Sequence, residues 1–325
     1  MLALCRSAAL AVAVLFSFGV AAASAAGVPI TKKTITWKAR QIEMTVEYPQ
    51  TGNKAVDAVL TAFANKQVAQ FKHDAAAYPP TTPDMGYYLS IGYTVERNDG
   101  QMLGILFSGD QFMGGAHPSH SQDAFNFTMP DGRQVFLGEI LDGRKGIQKL
   151  SAIATAQLIK DIGTGDNAAS DADSIKTGAA PYADNFKVFI WLPNKVHLYF
   201  PEYQVASYAA GPQETTIDLK LLKDVMRADW HAPAPSFDCA KAKTVNEKAV
   251  CADAALARLD RQVAEAYEFT YYSTGAYDPD AQKKLLAAQR TFIATTAKTC
   301  TGDKPGPCLI KAYTARLAAL KAPYQ

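Results

Sequence analysis

The sequence predicts an α+β domain, a mostly antiparallel sheet with two main helices, followed by a small all-α disulfide-stabilised three-helix domain. Three observations predict this. Before residue 232 most apolar residues recur at period two, in runs separated by turn signals. After residue 244 they recur at helical spacing. Between these stretches lies Ala232-Pro233-Ala234-Pro235-Ser236, a stiff segment of the kind that links domains, and Cys239, Cys251, Cys300 and Cys308 all follow it.

The first domain is expected over 27–231. Thr34 to Tyr48 reads as a strand, with Ile42, Met44, Val46 and Tyr48 on one face. Asn53 to Phe71 switches to helical spacing through Val56, Leu60, Phe63 and Phe71. Tyr78-Pro79-Pro80 and Pro83 cannot continue that helix, because proline fixes φ and lacks a donor. Tyr87–Glu96 and Met102–Phe112 form a hairpin about Asn98-Asp99-Gly100. Ala124–Met129 and Arg133–Leu137 repeat the device about Pro130-Asp131-Gly132. Ile147 to Ile162 is an amphipathic helix, and 163–180 is small, polar and expected to be mobile. Phe186–Leu192 and Val196–Phe200 give a further hairpin, and Leu219–Met226 a short closing helix.

The second domain is expected over 237–325, after a linker at 232–236. Thr244 with Glu247 forms a capping box, in which each side chain satisfies an exposed backbone donor of the other. A helix follows with Val250, Leu256, Leu259, Val263, Tyr267 and Tyr271 on one stripe, stopping at Gly275. Asp278-Pro279 restarts as cap and first helical residue, and a last helix runs from Leu309 to Leu320. Three helices over so short a span bury a modest core, so disulfides are what such a domain needs. Four cysteines allow three connectivities. Pairing Cys239 with Cys251 and Cys300 with Cys308 closes each loop locally, at a helix end.

Composition narrows the function class. Of 325 residues 48% are hydrophobic, and the net charge is +2, so neither disorder nor a field drawing nucleic acid is expected. Residues 27–235 carry 19 basic and 22 acidic side chains, net −3; residues 236–325 carry 13 and 9, net +4. Arg6, the apolar run Ala8–Val20 and Ala23-Ser24-Ala25 read as a signal peptide over 1–25, cleaved near Ala25 or Ala26. An exported mature chain without a membrane span is therefore expected, periplasmic or secreted.

The cluster that invites chemistry is His117-Pro118-Ser119-His120. Two histidines with Asp110 or Asp123 are a conceivable metal set, but catalytic zinc needs three ligands in fixed geometry and Pro118 keeps the pair off one helix face. Gly114-Gly115 permits a tight backbone path, so His117 is read as bonding a neighbouring main-chain group. Ser119 has no G-x-S-x-G elbow around it, and no P-loop or H-E-x-x-H occurs. No catalytic residue, metal or cofactor is expected.

Two resemblances extend this reading. Phe237-Asp238-Cys239, Glu247, Cys251-Ala252-Asp253, Leu259-Asp260 and Tyr267, with Cys300, Cys308 and Tyr313-x-x-Arg316, resemble the LprI-type lysozyme inhibitor domain. Phe112-Met113-Gly114-Gly115-Ala116-His117, Leu137-Gly138-Glu139-Ile140 and the run Val196–Pro212, with Tyr203 and Tyr208, resemble the exported domain shared by the anti-sigma factor RsiV and the peptidoglycan deacetylase PdaC. The resemblances imply a non-catalytic binding protein that recognises or inhibits lysozyme-like muramidases. Binding of peptidoglycan is the alternative, and a wall hydrolase using His117 and His120 a second. Animal-type lysozymes are cationic, so the −3 first domain is expected to attract one and the +4 second domain to be repelled.

Overall fold

A computed structural model describes residues 26–80, 86–164, 170–228, 230, 235–275 and 278–321. The expected signal peptide and most of the proline linker lie outside these residues.

The amino-terminal part holds two sheets. The first has five strands in the order β1 (Thr31–Ala39), β2 (Ile42–Gln50), β3 (Tyr87–Asn98), β4 (Met102–Phe112) and β5 (Ser119–Thr128). The stretch read as one strand is thus a hairpin, β1 and β2 turning at Arg40-Gln41. Every pairing is antiparallel except β2 with β3. A parallel pair needs a crossover, and α1 (Lys54–Ala77) supplies it. Asn53 caps α1 by accepting from the Ala55 and Val56 amides. The helix runs past Phe71 to the edge of the proline segment and buries Val56, Leu60, Ala64 and Phe71. These pack with Met44, Val46, Leu89, Ile91, Ile105 and Phe107 in one core. At the β3–β4 turn Asp99 accepts from the Gln101 and Met102 amides, and Gly100 takes φ 78°.

The second sheet is β6 (Phe189–Trp191), β7 (Lys195–Phe200) and β8 (Gln213–Asp218), all antiparallel. The sheet expected as one body is therefore divided, and β8 is an element the sequence reading missed. The turn at Pro130-Asp131-Gly132 does not build a second long hairpin. Phe127 and Gln134 make one isolated bridge, and the chain enters the short α2 (Leu137–Ile140). α3 (Gly143–Ile162) buries Leu150, Ala154 and Leu158 with Trp191, Leu198, Phe200 and Ile217. The stretch expected to be mobile contains α4 (Ala172–Gly178), capped by Asp171, with Ile175 fully buried; 165–169 lie outside the described residues. After β8 the closing helix is a single 3-10 turn, Leu219–Leu222. Buried Asn126 ties the two sheets: its Nδ2 donates to Phe189 O and its Oδ1 accepts from Trp191 N, each at 2.8 Å.

The carboxy-terminal part is all-helical: α5 (Val245–Ala252), α6 (Ala254–Gly275), α7 (Pro279–Thr299) and α8 (Gly306–Lys321). Among the described residues four helices stand here rather than the three expected, because the first stripe breaks at Asp253. Its carboxylate accepts from the Ala255 and Leu256 amides and so caps α6. Thr244 and Glu247 form the capping box of α5, and Asp278 caps α7 with Pro279 at its first turn. Disulfides join Cys239 to Cys251 and Cys300 to Cys308. Val250, Leu256, Cys300 and Leu309 form the small core they brace. No described helix is long and apolar enough to cross a membrane.

Candidate functional site: an aromatic and acidic face

Cross-strand partners share a sheet face. Ser90, Asp110 and His120 are aligned across β3, β4 and β5, and Tyr88 stands opposite Phe112 one step along. These side chains point away from α1, whose core takes the alternate residues Leu89, Ile91 and Phe107. The second sheet covers part of the outer face, where Leu106 meets Val188, Ile190 and Tyr199. The end of the face bearing Tyr88, Asp110, Phe112 and His120 stays open.

Two segments nearly ninety residues apart complete it. The β4–β5 connection turns through Gly114 at φ 86° and Gly115 at φ 107°, a left-handed path that glycine takes without strain. It delivers His117 to the outside. The loop after β7 delivers Glu202, Tyr203 and Tyr208. The His117 ring stacks on Tyr208, with centroids 3.7 Å apart. Tyr208 donates to Pro118 O at 3.0 Å, and its ring lies 5.8 Å from that of Tyr203. His117 Nδ1 is 2.8 Å from Pro118 O, and its Nε2 faces the Tyr203 hydroxyl at 3.4 Å. Tyr203 itself has φ 65°, a conformation that costs a bulky residue energy and is kept where surroundings impose it. Its side chain is nevertheless exposed, at 66%. His120 sits between two carboxylates, paired through Nδ1 with Asp110 and 3.6 Å from Glu202 through Nε2. Partial desolvation, with Glu202 nearby, pushes the Tyr208 phenol above its ordinary range.

Ser119 Oγ donates to Gln111 O at 3.3 Å, not to either imidazole, so no nucleophile–base hydrogen bond forms. Asp123, weighed as a metal ligand, is three residues from His120 on β5 and faces the other way. Burial pushes its carboxyl upward, and Lys187 and Lys66 counter this. What the face offers is the stacked His117 and Tyr208 rings with exposed Tyr203 tilted beside them, hydrogen-bonding groups and the exposed acid Asp110, with the Glu202 side chain largely buried next to His120.

Of the residues singled out in the sequence, Gly114, Gly115, His117, Tyr203 and Tyr208 converge here. Sequence reasoning missed Glu202 and Tyr88, although Glu202 lies inside the Val196–Pro212 run. The helical-region residues do other work. Glu247 accepts from the Lys243 and Thr244 amides at 2.8 Å each, which holds its carboxyl below the usual range. Asp260 is buried and accepts from Ser236 N and Oγ at 2.7 Å, tethering the chain that enters the helices. Leu259 is half-buried on α6, and Tyr267 pairs with Tyr271 at 5.7 Å.

Where the helices meet the sheets lies a second polar centre. Arg133 and Glu139 form a buried ion pair at 3.1 Å, with side chains 4% and 6% exposed. Arg133 also donates to Trp230 O at 2.9 Å, and Glu139 accepts from Phe136 N at 3.1 Å. Burial raises the Glu139 carboxyl despite Arg133. From α6, Glu265 reaches Gly138, where a Cβ would stand 3.0 Å from its Cδ.

Comparison with known proteins follows the same division. Residues 35–120 match the family described as Deacetylase PdaC, residues 140–220 a Protein of unknown function (DUF3298), and residues 239–321 the family Lysozyme inhibitor LprI. A relative from Bacillus subtilis (strain 168), the peptidoglycan-N-acetylmuramic acid deacetylase PdaC, is 31% identical over 186 residues, 57% of this chain. The chain covers 39% of that protein's length. Two solved structures of DUF3298 family proteins are similar at 15% identity. The one from Bacteroides fragilis has a TM-score of 0.46 over 63% of this chain and 96% of its own. The one from Pseudomonas aeruginosa has 0.48 over 62% and 96%.

Proposed function

We propose that this protein is an exported binding protein of the cell envelope that recognises a lysozyme-type muramidase through the face built by His117, Tyr203 and Tyr208 beside Asp110 and Glu202. The observation that carries the reading is the convergence of the 110–120 and 202–208 segments into a stacked His117–Tyr208 pair with exposed Tyr203 beside it, flanked by the Asp110 carboxylate. Tyrosine rings supply large contact area at low entropic cost, and interface hot spots are rich in them. The exposed Asp110 carboxylate steers a cationic partner, and the surrounding −3 charge adds to the attraction. The match of residues 239–321 to a lysozyme inhibitor family supports the choice of partner. Two disulfides fit a chain that matures in an oxidising compartment.

The same rings also suit a sugar, and the deacetylase relative acts on a wall glycan by its name. Co-sedimentation separates the two readings. The protein is mixed with immobilised animal-type lysozyme and, in parallel, with insoluble peptidoglycan. Retention by lysozyme is the expected outcome. Retention by peptidoglycan alone replaces the proposal with glycan binding, and retention by neither removes it.

A further inference from the structure

Between α6 and the sheet-bearing part lies a cavity of about 450 Å³, within the size range of small-molecule sites. Val135, Leu137, Ile147 and Phe189 line it from one side, and Ala266 and Leu320 from the other. Its walls therefore come from both parts of the chain, and it exists as a site where they dock. Polar side chains share the lining, and several of them are engaged. Lys187 pairs with Asp184 at 3.4 Å, and Arg144 lies beside Glu268 and lowers that carboxyl against the rise that burial causes. Glu265 differs. Its Oε1 is buried and has no hydrogen-bond partner among the described residues. A buried acceptor without a donor is costly, and such a group in a concave apolar site marks where a ligand donor fits.

We infer that this cavity binds a small amphipathic amine, its apolar body against Leu137, Ile147 and Phe189 and its ammonium donating to Glu265. An amine fits better than an acid, because Glu139 and Glu268 surround Glu265 with like charge. It fits better than a neutral hydroxyl, because an ammonium pairs with the carboxylate that burial otherwise keeps protonated. Arg261 and Arg227 favour the carboxylate without lining the cavity, and of the cations that do line it Lys187 is paired with Asp184 and Arg144 lies beside Glu268.

Ligand-observed NMR titration of the full chain with phenethylamine tests this, with 2-phenylethanol as the neutral probe. Saturable binding of the amine is expected, weakened at least about tenfold for 2-phenylethanol and for the Glu265→Gln protein. Ala266→Phe fills the cavity and is expected to abolish binding, while circular dichroism shows each variant folded. Glu265→Gln preserves shape, so it remains informative if Ala266→Phe fails to fold. No saturable binding of the amine overturns the proposal, as does equal binding by the Glu265→Gln protein or by a folded Ala266→Phe protein. None of these results bears on lysozyme, whose proposed face is elsewhere.

Discussion

Replacing Glu265 by Gln swaps a carboxyl for a neutral group of the same shape at the junction of helices and sheets. Burial, reinforced by Glu139, pushes the Glu265 carboxyl up to about 8 from its ordinary 4.5. The folded protein therefore holds a proton that the unfolded chain gives up. Stability from this source is fully present below pH 4.5, falls as pH rises through the window to 8, and is lost above it. A rise of this size at about 1.4 kcal/mol per pH unit sets an upper limit near 5 kcal/mol, and water at the cavity mouth brings the expected loss to about 2–3 kcal/mol. Glu139 and Glu268 are raised in the same direction and stay in both proteins, so the difference between the proteins isolates Glu265. The assay is urea unfolding at pH 5 and pH 8.5, followed by tryptophan fluorescence. Two of the three tryptophans, Trp191 and Trp230, pack edge to face at 6.0 Å, and Trp230 O accepts from Arg133, so the signal is weighted to this junction. The wild-type protein should lose about 2–3 kcal/mol more than the Gln variant between the two pH values. Parallel losses would refute the assignment of a buried, proton-holding carboxyl.

Other perturbations have equally definite outcomes. Arg133→Ala strands Glu139 in a buried site and removes the donation to Trp230 O, so chemical denaturation should show a loss of about 3–5 kcal/mol, with a smaller loss for Arg133→Met combined with Glu139→Leu. Asn126→Leu removes both of the bonds that this side chain makes between the sheets and should cost about 2–4 kcal/mol by the same assay, because Phe189 O and Trp191 N are left buried and unpaired. Opening Cys239–Cys251 by double replacement with Ser should cost about 3 kcal/mol by loop entropy, and non-reducing peptide mapping of that variant should still recover the Cys300–Cys308 peptide.

Local chemistry was legible in the sequence where a side chain dictates the backbone. Asn98-Asp99-Gly100 marked the β3–β4 hairpin because Asp99 accepts from the amides of the turn it makes. Thr244 and Asp278 marked helix starts for the same reason, while α1 was placed by its apolar spacing. The β1–β2 turn at Arg40-Gln41 was hidden because it contains none of the residues that signal turns. β8 was hidden because its buried face is only Thr215 and Ile217, too little to register as alternation. Asp253 was read past because a capping acid inside an apolar stripe resembles a solvated position. The parallel β2–β3 pairing is a tertiary choice that no local pattern encodes. On the candidate face, Gly114, His117, Tyr203 and Tyr208 were visible as motif residues, but their meeting depends on how the second sheet sits over the first. Glu265 lies on α6 between Val263 and Tyr267 and reads as an ordinary surface acid; docking against Gly138 is what buries it.

Titration calorimetry of the full chain with an animal-type lysozyme, beside its Tyr203→Ala and Tyr208→Ala variants, tests the central claim most directly. Both variants should keep the wild-type unfolding free energy to within about 1 kcal/mol, because Tyr203 is exposed and Tyr208 only half-buried. Each should bind at least about 30-fold more weakly, the loss of one aromatic anchor of about 2 kcal/mol. Wild-type binding should also weaken as salt rises from about 0.05 to 0.5 M, since the acidic rim acts at a distance that ions screen. Unchanged affinity in both variants, or affinity that does not respond to salt, would contradict recognition by this face.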